Sequence, residues 1–541
     1  MEAAEAIYHN GPILSLDAEN SMPEAVAIAG GQILAVGSMA DMEAHRGPAT
    51  REIDLAGRAL LPGFIDPHGH FPLSGMYALY RVDLSSPPVG DCRRLADVFG
   101  RLRERAAATA EGEWVIGAFF DQSMVEERRF PTRQELDAVS SAHPIFVVHA
   151  SGHVGVANSA ALAFAGIDRD TPQPPGGHIE KDEATGEPTG LLEEPAAMGP
   201  IKDAVDNSRG EAFTAGLEHA TREYAAQGVT TAQNAWADKN LLQQFERAER
   251  EGRLKLRLVA LPDAGLEPEL ASGAFTVATR PEGRLRLGAR KLFSDGSIQA
   301  FTGYLFRPYH TPCRGDAEYR GYPIYDRDDL ARRIDVLHRA GHQIHIHANG
   351  DAAADDVLHG FRLAQEAFPR EDHRHTIIHG QMLREDQLDL MKELGVTVSF
   401  FSYHVYVWGD RHRDVFMGPE RAARISPAAS ATARGIRYTV HNDTPVTPMR
   451  PLPLMWAAVN RLTASGEVLG PEQRISVLQA LRAHTIDAAW QVFLEDEIGS
   501  IEPGKRADLV ILDRNPLEDP AGLKDIRVLE TIIDGETVHR A

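Results

Sequence analysis

The sequence predicts an α/β protein. It reads as a (β/α)8 TIM barrel with a composite β-sandwich domain built from both termini and an α/β insertion after strand one. Three observations carry this. Short apolar runs alternate with helical segments through the middle of the chain, and eight of them read as strands, the count that closes a parallel barrel. Both ends are β-rich, yet each is too small to bury a core alone. Residues 72–210 are too long for a single βα connection and carry strand signals of their own.

In order, residues 1–58 are the N-terminal part of the sandwich. Ala6-Ile7-Tyr8 runs to a turn at Asn10-Gly11-Pro12, and Ala25–Ile28 turns at Gly30-Gly31 into Gln32–Gly37, a hairpin signal. The barrel takes residues 59–497. Its first strand is the run Leu60-Leu61-Pro62-Gly63-Phe64-Ile65-Asp66-Pro67-His68-Gly69-His70. The insertion follows, with strands expected at Trp114–Gly117 and Pro144–Val148. The remaining barrel strands are read at Gly228–Ala232, Leu254–Ala260, Leu285–Phe293, His342–His347, His375–His379, Val396–Phe400 and Arg437–Val440. Residues 498–541 complete the sandwich through Asp508–Leu512 and Val528–Ile533.

Composition narrows the function class. The 541 residues carry 56 Lys+Arg against 78 Asp+Glu, a formal charge of −22 that repels nucleic acid and anionic membranes. Two cysteines, Cys92 and Cys313, are too few for a disulfide framework and fit a reducing compartment. The start Met1-Glu2-Ala3-Ala4-Glu5 lacks the basic and apolar regions of a secretory signal, and no apolar run approaches the roughly 18 residues of a membrane span. A cytoplasmic protein acting on a small molecule is expected, with room for a homodimer.

A parallel barrel places its chemistry at the C-terminal ends of the strands. His68 and His70 end the first strand, two apart and so on one face of an extended chain. Lys291 lies near the end of strand four, His347 ends strand five, His379 ends strand six, and Asp443 follows strand eight. Each has an ordinary alternative as a rim residue, a solvated amine or a turn former; their recurrence around one ring is what points to a site.

Six stretches carry a family resemblance. They are Leu61–His70, His149-Ala150-Ser151-Gly152-His153 with Asn158-Ser159, and Lys291-Leu292-Phe293-Ser294-Asp295-Gly296-Ser297. The others are His347-Ala348-Asn349-Gly350-Asp351, Arg374–His379, and Gly499–Leu509. In this order and over essentially the whole chain, they resemble the metal-dependent amidohydrolase superfamily. The narrower match is its amidohydrolase family 3 (YtcJ-like) branch, which includes N-substituted formamide deformylases. The resemblance implies one or two divalent metal ions, zinc foremost, held by His68, His70, Lys291, His347, His379 and Asp443. In two-metal members the lysine is carboxylated, since an ammonium has no lone pair to offer. The implied reaction is hydrolysis of a non-peptide, amide-like C–N bond by water activated at the metal. Asp443 then takes the water proton and returns it to the leaving nitrogen. Two departures from the family pattern are His441-Asn442 before Asp443, where many relatives have Gly-Ser, and Ile378, where many have Glu.

Around this set, His153 in the insertion is a second catalytic candidate, able to polarise the substrate carbonyl. His404 and Trp408 after strand seven, and Gln299 and Tyr304 after strand four, are candidates for substrate binding. His345 and His375 read as supporting core residues, and Asp66 as the acceptor of a ring N–H from one of the paired histidines. Ester, lactone or carbamate hydrolysis, or deamination, remain open on the same metal site, though related deaminases commonly lack the strand-four lysine. A barrel that has lost catalysis and serves as a binding or regulatory protein is the alternative from another class.

Overall fold

Runs rich in Val, Ile and Leu form parallel strands in two arcs. β1 (Phe64–Ile65), β2 (Val229–Ala237), β3 (Arg257–Pro262) and the first half of β4 (Leu285–Leu287) pair in that order in one sheet. The second half of β4 (Arg290–Phe293) opens the other, followed by β5 (Ile344–Ala348), β6 (Thr376–His379), β7 (Thr397–Phe400) and β8 (Tyr438–Val440). A parallel bridge between Asp263 and Lys291 ties the arcs together. β5, β6, β7 and β8 are buried along their whole length, as expected of parallel strands covered by helices on the outside. The coordinates are a computed structural model describing all residues except 1–2, 205–209 and 314, with backbone only at 202–204. The first two residues of the acidic start and residues 205–209 of the insertion therefore lie outside the described residues. Among the described residues no helix is long and apolar enough to cross a membrane.

The opening run divides into two strands. Ala59–Pro62 pairs antiparallel with Leu509–Leu512 of the C-terminal segment, and only Phe64–Ile65 enters the parallel sheet beside β2. Gly63 is the joint. Its N–H donates to the Asp508 carbonyl at 2.8 Å, and a Cβ there would lie 2.2 Å from Thr230 Cγ2, so no larger residue fits. His68 and His70 consequently sit in the turn after the strand rather than on one strand face. β3 starts at Arg257, three residues after the expected Leu254, and β4 breaks at Gly288-Ala289 as it passes from one arc to the other. The stretch after strand seven that carries His404 and Trp408 is a helix, His404–Arg411.

The termini form two four-stranded sheets. One contains Gln32–Gly37, Ala25–Ala29, Ala6–His9 and Arg51–Asp54; the other contains Glu536–Arg540, Val528–Ile533, Leu509–Leu512 and Ala59–Pro62. A shared apolar core joins them, with Ala6, Val26, Ile28 and Ile33 from the N-terminus meeting Leu509, Ile511 and Ile532 from the C-terminus. The N-terminal sheet has a small cluster of its own on its other face, Ala4, Ile7, Ala25, Ala27 and Met42, but the core that joins the two ends draws on both. Asp508 also accepts from Arg257 Nε at 2.6 Å and Nη2 at 3.0 Å, a buried two-point clamp between the C-terminal segment and the foot of β3.

The insertion forms its own six-stranded sheet, running His178–Lys181, Pro188–Glu193, Val154–Ala157, Ile145–His149, Val115–Phe120 and Val82–Asp83. It carries separate apolar clusters, one around Leu102, Val115 and Ile145 and another around Phe146, Leu162 and Leu192. Its loop from His149 to His153 reaches the C-terminal ends of the parallel strands.

Candidate metal centre

β1, β5, β6 and β8 finish at the same end of the sheets, so side chains at or just beyond their ends meet. Asp443 is the meeting point. His70 Nε2 lies 3.2 Å and His68 Nε2 3.7 Å from its Oδ1, and His379 Nε2 lies 3.9 Å from its Oδ2. Ligand atoms of His68, His379 and Asp443 all fall within 4.8 Å of one another. His347 Nδ1 is 3.1 Å from His379 Nε2, and Lys291 lines the same cavity of about 160 Å³. All six residues expected to bind metal are thus brought together.

Their electrostatics suit a cation. Burial, followed by neighbouring positive charge, pushes His68, His347 and His379 well below the usual histidine range, so their rings are neutral and keep a lone pair. Burial acts upward on Asp443, but the His70 ring and the surrounding cationic groups outweigh it and hold the carboxyl at about 2. Burial alone brings Lys291 down to about 7, against the pull of Asp443. Neutral imidazoles and an ionised carboxylate are the donor set of a zinc-type site. Two further observations fit a cation here. Asp443 Oδ1 is buried and accepts no hydrogen bond, and neither does His68 Nδ1 have a partner. His379 and Asp443 also hold left-handed backbone conformations, with φ of 73° and 54°, which non-glycine residues adopt only where the surroundings impose them.

The supporting groups depart from expectation in instructive ways. Asp66 does not take a ring N–H; it accepts the backbone N–H of His68 at 3.3 Å and the Tyr224 hydroxyl at 3.5 Å, because the turn after β1 folds the chain back over it. Burial raises its carboxyl to about 8. Asp295 accepts three backbone N–H groups, from Tyr304 at 2.9 Å, Asn349 at 2.9 Å and Gly350 at 2.8 Å, and so holds the loops after β4 and β5 together. His345 lies deeper along β5 with neither ring nitrogen bonded, and His375 bonds His338, both away from the cavity as expected of core residues.

His153 reaches the site from the insertion, its ring 5.2 Å from that of His347. Its Nδ1 is 2.7 Å from Glu194 Oε2, and Glu194 is fully buried with a φ of 65°. Gln299 and His404 line the cavity and lie 3.5 Å apart through Nε2 atoms. Trp408 and Tyr304 do not line it. Trp408 lies one helical turn beyond His404 and turns its indole N–H onto Asp121 Oδ2 at 2.7 Å, behind the cavity wall. Tyr304 contributes its backbone, not its ring, through the amide bonded to Asp295.

Two residues escape the sequence. Glu194 is 41 positions from its partner, inside the insertion, and no local pattern marks it. His441 was legible only as a departure from the family pattern. Its ring lies 4.9 Å from His68 and 5.1 Å from His379, with Nε2 3.1 Å from His379 Nδ1. The strand-end rule that found Asp443 applies equally to a residue two positions earlier.

The chain is matched over residues 51–539 by the model of the amidohydrolase family. It is 31% identical over 539 residues to a protein of Arthrobacter pascens named N-substituted formamide deformylase, covering 97% of this chain and 96% of that one. Among solved structures, a metal-dependent hydrolase from Pyrococcus horikoshii superposes with a TM-score of 0.74 at 26% identity, covering 96% of this chain and 99% of the other. A metal-dependent hydrolase from Pyrococcus furiosus gives 0.72 at 26%, covering 95% and 99%.

Proposed function

The chain belongs to the amidohydrolase family and is a hydrolase of carbon–nitrogen bonds, and we propose that it cleaves a small non-peptide amide at the cavity around Asp443. The observation that carries this reading is the approach of His68, His70 and His379 to the two oxygens of that one carboxylate, within 3.9 Å. We read the two arcs of parallel strands as a closed (β/α)8 barrel over residues 63–497. On this reading the terminal sheets form a sandwich whose N-terminal share extends to Pro62, and residues 72–210 are an inserted subdomain roofing the site.

His68, His70, His347, His379 and Asp443 would hold the metal, with zinc favoured by the nitrogen and carboxylate donors. A divalent cation bound there supplies Lewis acidity and brings the pKa of a water towards neutrality. Lys291, held near 7 by burial, carries a neutral amine in a large fraction of molecules at neutral pH and so can take up CO2, the one form in which a lysine offers oxygen ligands. Asp443, ionised at neutral pH, orients the attacking water, accepts its proton and returns it to the departing nitrogen. His153, oriented by Glu194, donates from the insertion side to the substrate carbonyl oxygen as charge develops on it. Gln299 and His404 face the rest of the substrate.

Tyr77, Phe119, Trp236, Phe293 and Phe401 line the cavity beside the proposed ligands, which suits a small, partly apolar molecule. With the Arthrobacter relative's name, this points to N-substituted formamides. The test is a substrate panel of N-formyl amines, longer N-acyl amides and matching esters, run beside elemental analysis of wild type and Lys291→Ala. Release of formate from the N-formyl members, with metal bound, is the expected result. Two ions per chain falling to one or none in the variant would support a carboxylated bridge, and one ion in both would make Lys291 a bystander. Faster turnover of the esters would move the reading to an ester hydrolase, and inactivity on every member with metal bound would overturn it.

A further inference from the structure

We propose that Phe119 selects the substrate. One extra residue in its strand turns it into the cavity, where it closes an apolar wall that takes amides with an uncharged, apolar substituent. The inference rests on the reading of the cavity around Asp443 as the place where the amide is cleaved.

The strand Val115–Phe120 of the insertion begins with regular alternation. Val115 packs into the cluster around Leu102 and Ile145, and Ile116 faces the opposite one around Phe146 and Leu162. Gly117 returns to the first, where a Cβ would lie 2.3 Å from Leu84 Cδ1. Residues two apart share a face, so unbroken alternation would bury Phe119 in that first cluster and turn Phe120 to the other. The structure shows the reverse. Gly117 pairs with Val147 and Phe120 with His149, so Ala118 and Phe119 stand opposite the single residue Val148. Such a bulge re-aims the side chains after it. Phe120 takes the place in the first cluster and is fully buried. Phe119 is left over and lines the cavity, at a φ of 67° that a bulky side chain adopts only where its surroundings impose it. Glycine would fit that backbone without strain, yet the position carries a phenyl ring.

The wall that Phe119 joins begins at the proposed ligands. Leu73 N–H donates to the His70 carbonyl at 2.7 Å, and Val446 N–H donates to the Asp443 carbonyl at 2.8 Å. Tyr77 follows Leu73 by one turn of the helix Leu73–Tyr80 and so shares its face. The Tyr77 ring lies 5.5 Å from that of Phe119. Leu73, Tyr77, Phe119, Val148 and Val446 all line the cavity, and none carries a charge. A charged substituent laid against them would lose its water and gain no partner, whereas an alkyl or aryl group would bury apolar surface.

The test is kcat and KM of the metal-loaded protein on the N-formyl derivatives of methylamine, butylamine, phenethylamine and glycine. In wild type kcat/KM should rise by up to about fourfold for each methylene buried between methyl and butyl, and should be lowest for the glycine derivative with its carboxylate. Phe119→Gly suits a φ of 67° and so keeps the fold, which a thermal melt beside wild type checks. It should lower kcat/KM about 10- to 100-fold more for the phenethyl derivative than for the methyl one, chiefly through KM. Phe119→Leu, which keeps an apolar side chain, should retain the preference for butyl over methyl. An equal loss on all four derivatives would make Phe119 a structural residue. That result, a wild-type order of preference in Phe119→Gly, or a wild-type preference for the glycine derivative would overturn this inference alone. Failure of metal-loaded wild type to cleave any N-formyl or longer N-acyl amide would overturn the reading of the cavity and this inference with it.

Discussion

Two groups of buried histidines lie at opposite ends of the same parallel strands, and β6 touches both, with His375 before it and His379 at its end. At the N-terminal end the ring nitrogens are satisfied by the protein. His338 Nε2 donates to the Phe368 carbonyl at 2.7 Å, and its Nδ1 lies 2.9 Å from His375 Nε2. His375 Nδ1 accepts the Ile344 amide at 3.1 Å, while His373 Nδ1 accepts the His375 amide at 3.0 Å and its Nε2 donates to the Leu394 carbonyl at 2.9 Å. At the C-terminal end, rings just as deeply buried turn nitrogens towards one another and towards Asp443. The first group has spent its hydrogen-bonding capacity on the fold. The second turns its rings on one carboxylate, and on the proposed reading that convergence, more than burial or residue type, is what would make them metal ligands.

The comparison breaks most sharply at Asp443. Asp443→Asn should lower kcat by about 10³- to 10⁴-fold while elemental analysis still finds most of the metal, since the amide keeps an oxygen donor but cannot accept the proton. A kcat near wild type would remove Asp443 from proton transfer. Next comes the matched pair on β6. His379→Ala should lose metal and activity and leave the thermal transition of the metal-free protein little changed. His375→Ala should keep metal but lose about 2–4 kcal/mol of stability through the cavity and the orphaned Ile344 amide. Denaturant melts of the two metal-free variants, with metal analysis of each, would show whether the roles divide this way.

Acid should sharpen the same contrast. Burial lowers the pKa of His338, His373 and His375 in the folded chain, so the unfolded chain binds more protons below the ordinary histidine value of about 6.5. Their contribution to stability is complete above that pH and is lost as pH falls below it towards the folded values. Metal-free protein melted between pH 7.5 and 5 should therefore lose stability progressively, and His375→Ala should show a shallower loss. An identical slope would place the acid sensitivity elsewhere. The smallest effect belongs to Tyr304→Phe. Tyr304 acts through its backbone, its amide at Asp295 and its carbonyl at Ala353, so removing the hydroxyl should leave kcat/KM within about twofold of wild type, a change of about 0.4 kcal/mol.

Much of the fold could be read in advance because periodicity and turn chemistry are local. The strands around His347 and His379, and the incompleteness of each β-rich end, followed from alternation and length. The opening run misled because Ala59–Pro62 and Phe64–Ile65 are equally apolar; what divides them is the packing of Gly63 against Thr230, a contact across 167 positions of chain. Trp408 misled for the same reason, since its indole N–H is taken by Asp121, 287 positions away in the chain.

The sequence by itself determined which residues could do the chemistry. Residue type sets which atoms donate, accept or ionise, and strand ends place His68, His70, Lys291, His347, His379 and Asp443 on one rim. Only the tertiary structure decided which partners orient them: Glu194 for His153, Asp295 for the loops after β4 and β5, His441 for His379, and Asp508 clamping the C-terminal segment onto Arg257. These pairings join segments far apart in the chain. A hydrogen bond depends on angstrom distances that no spacing along a sequence records.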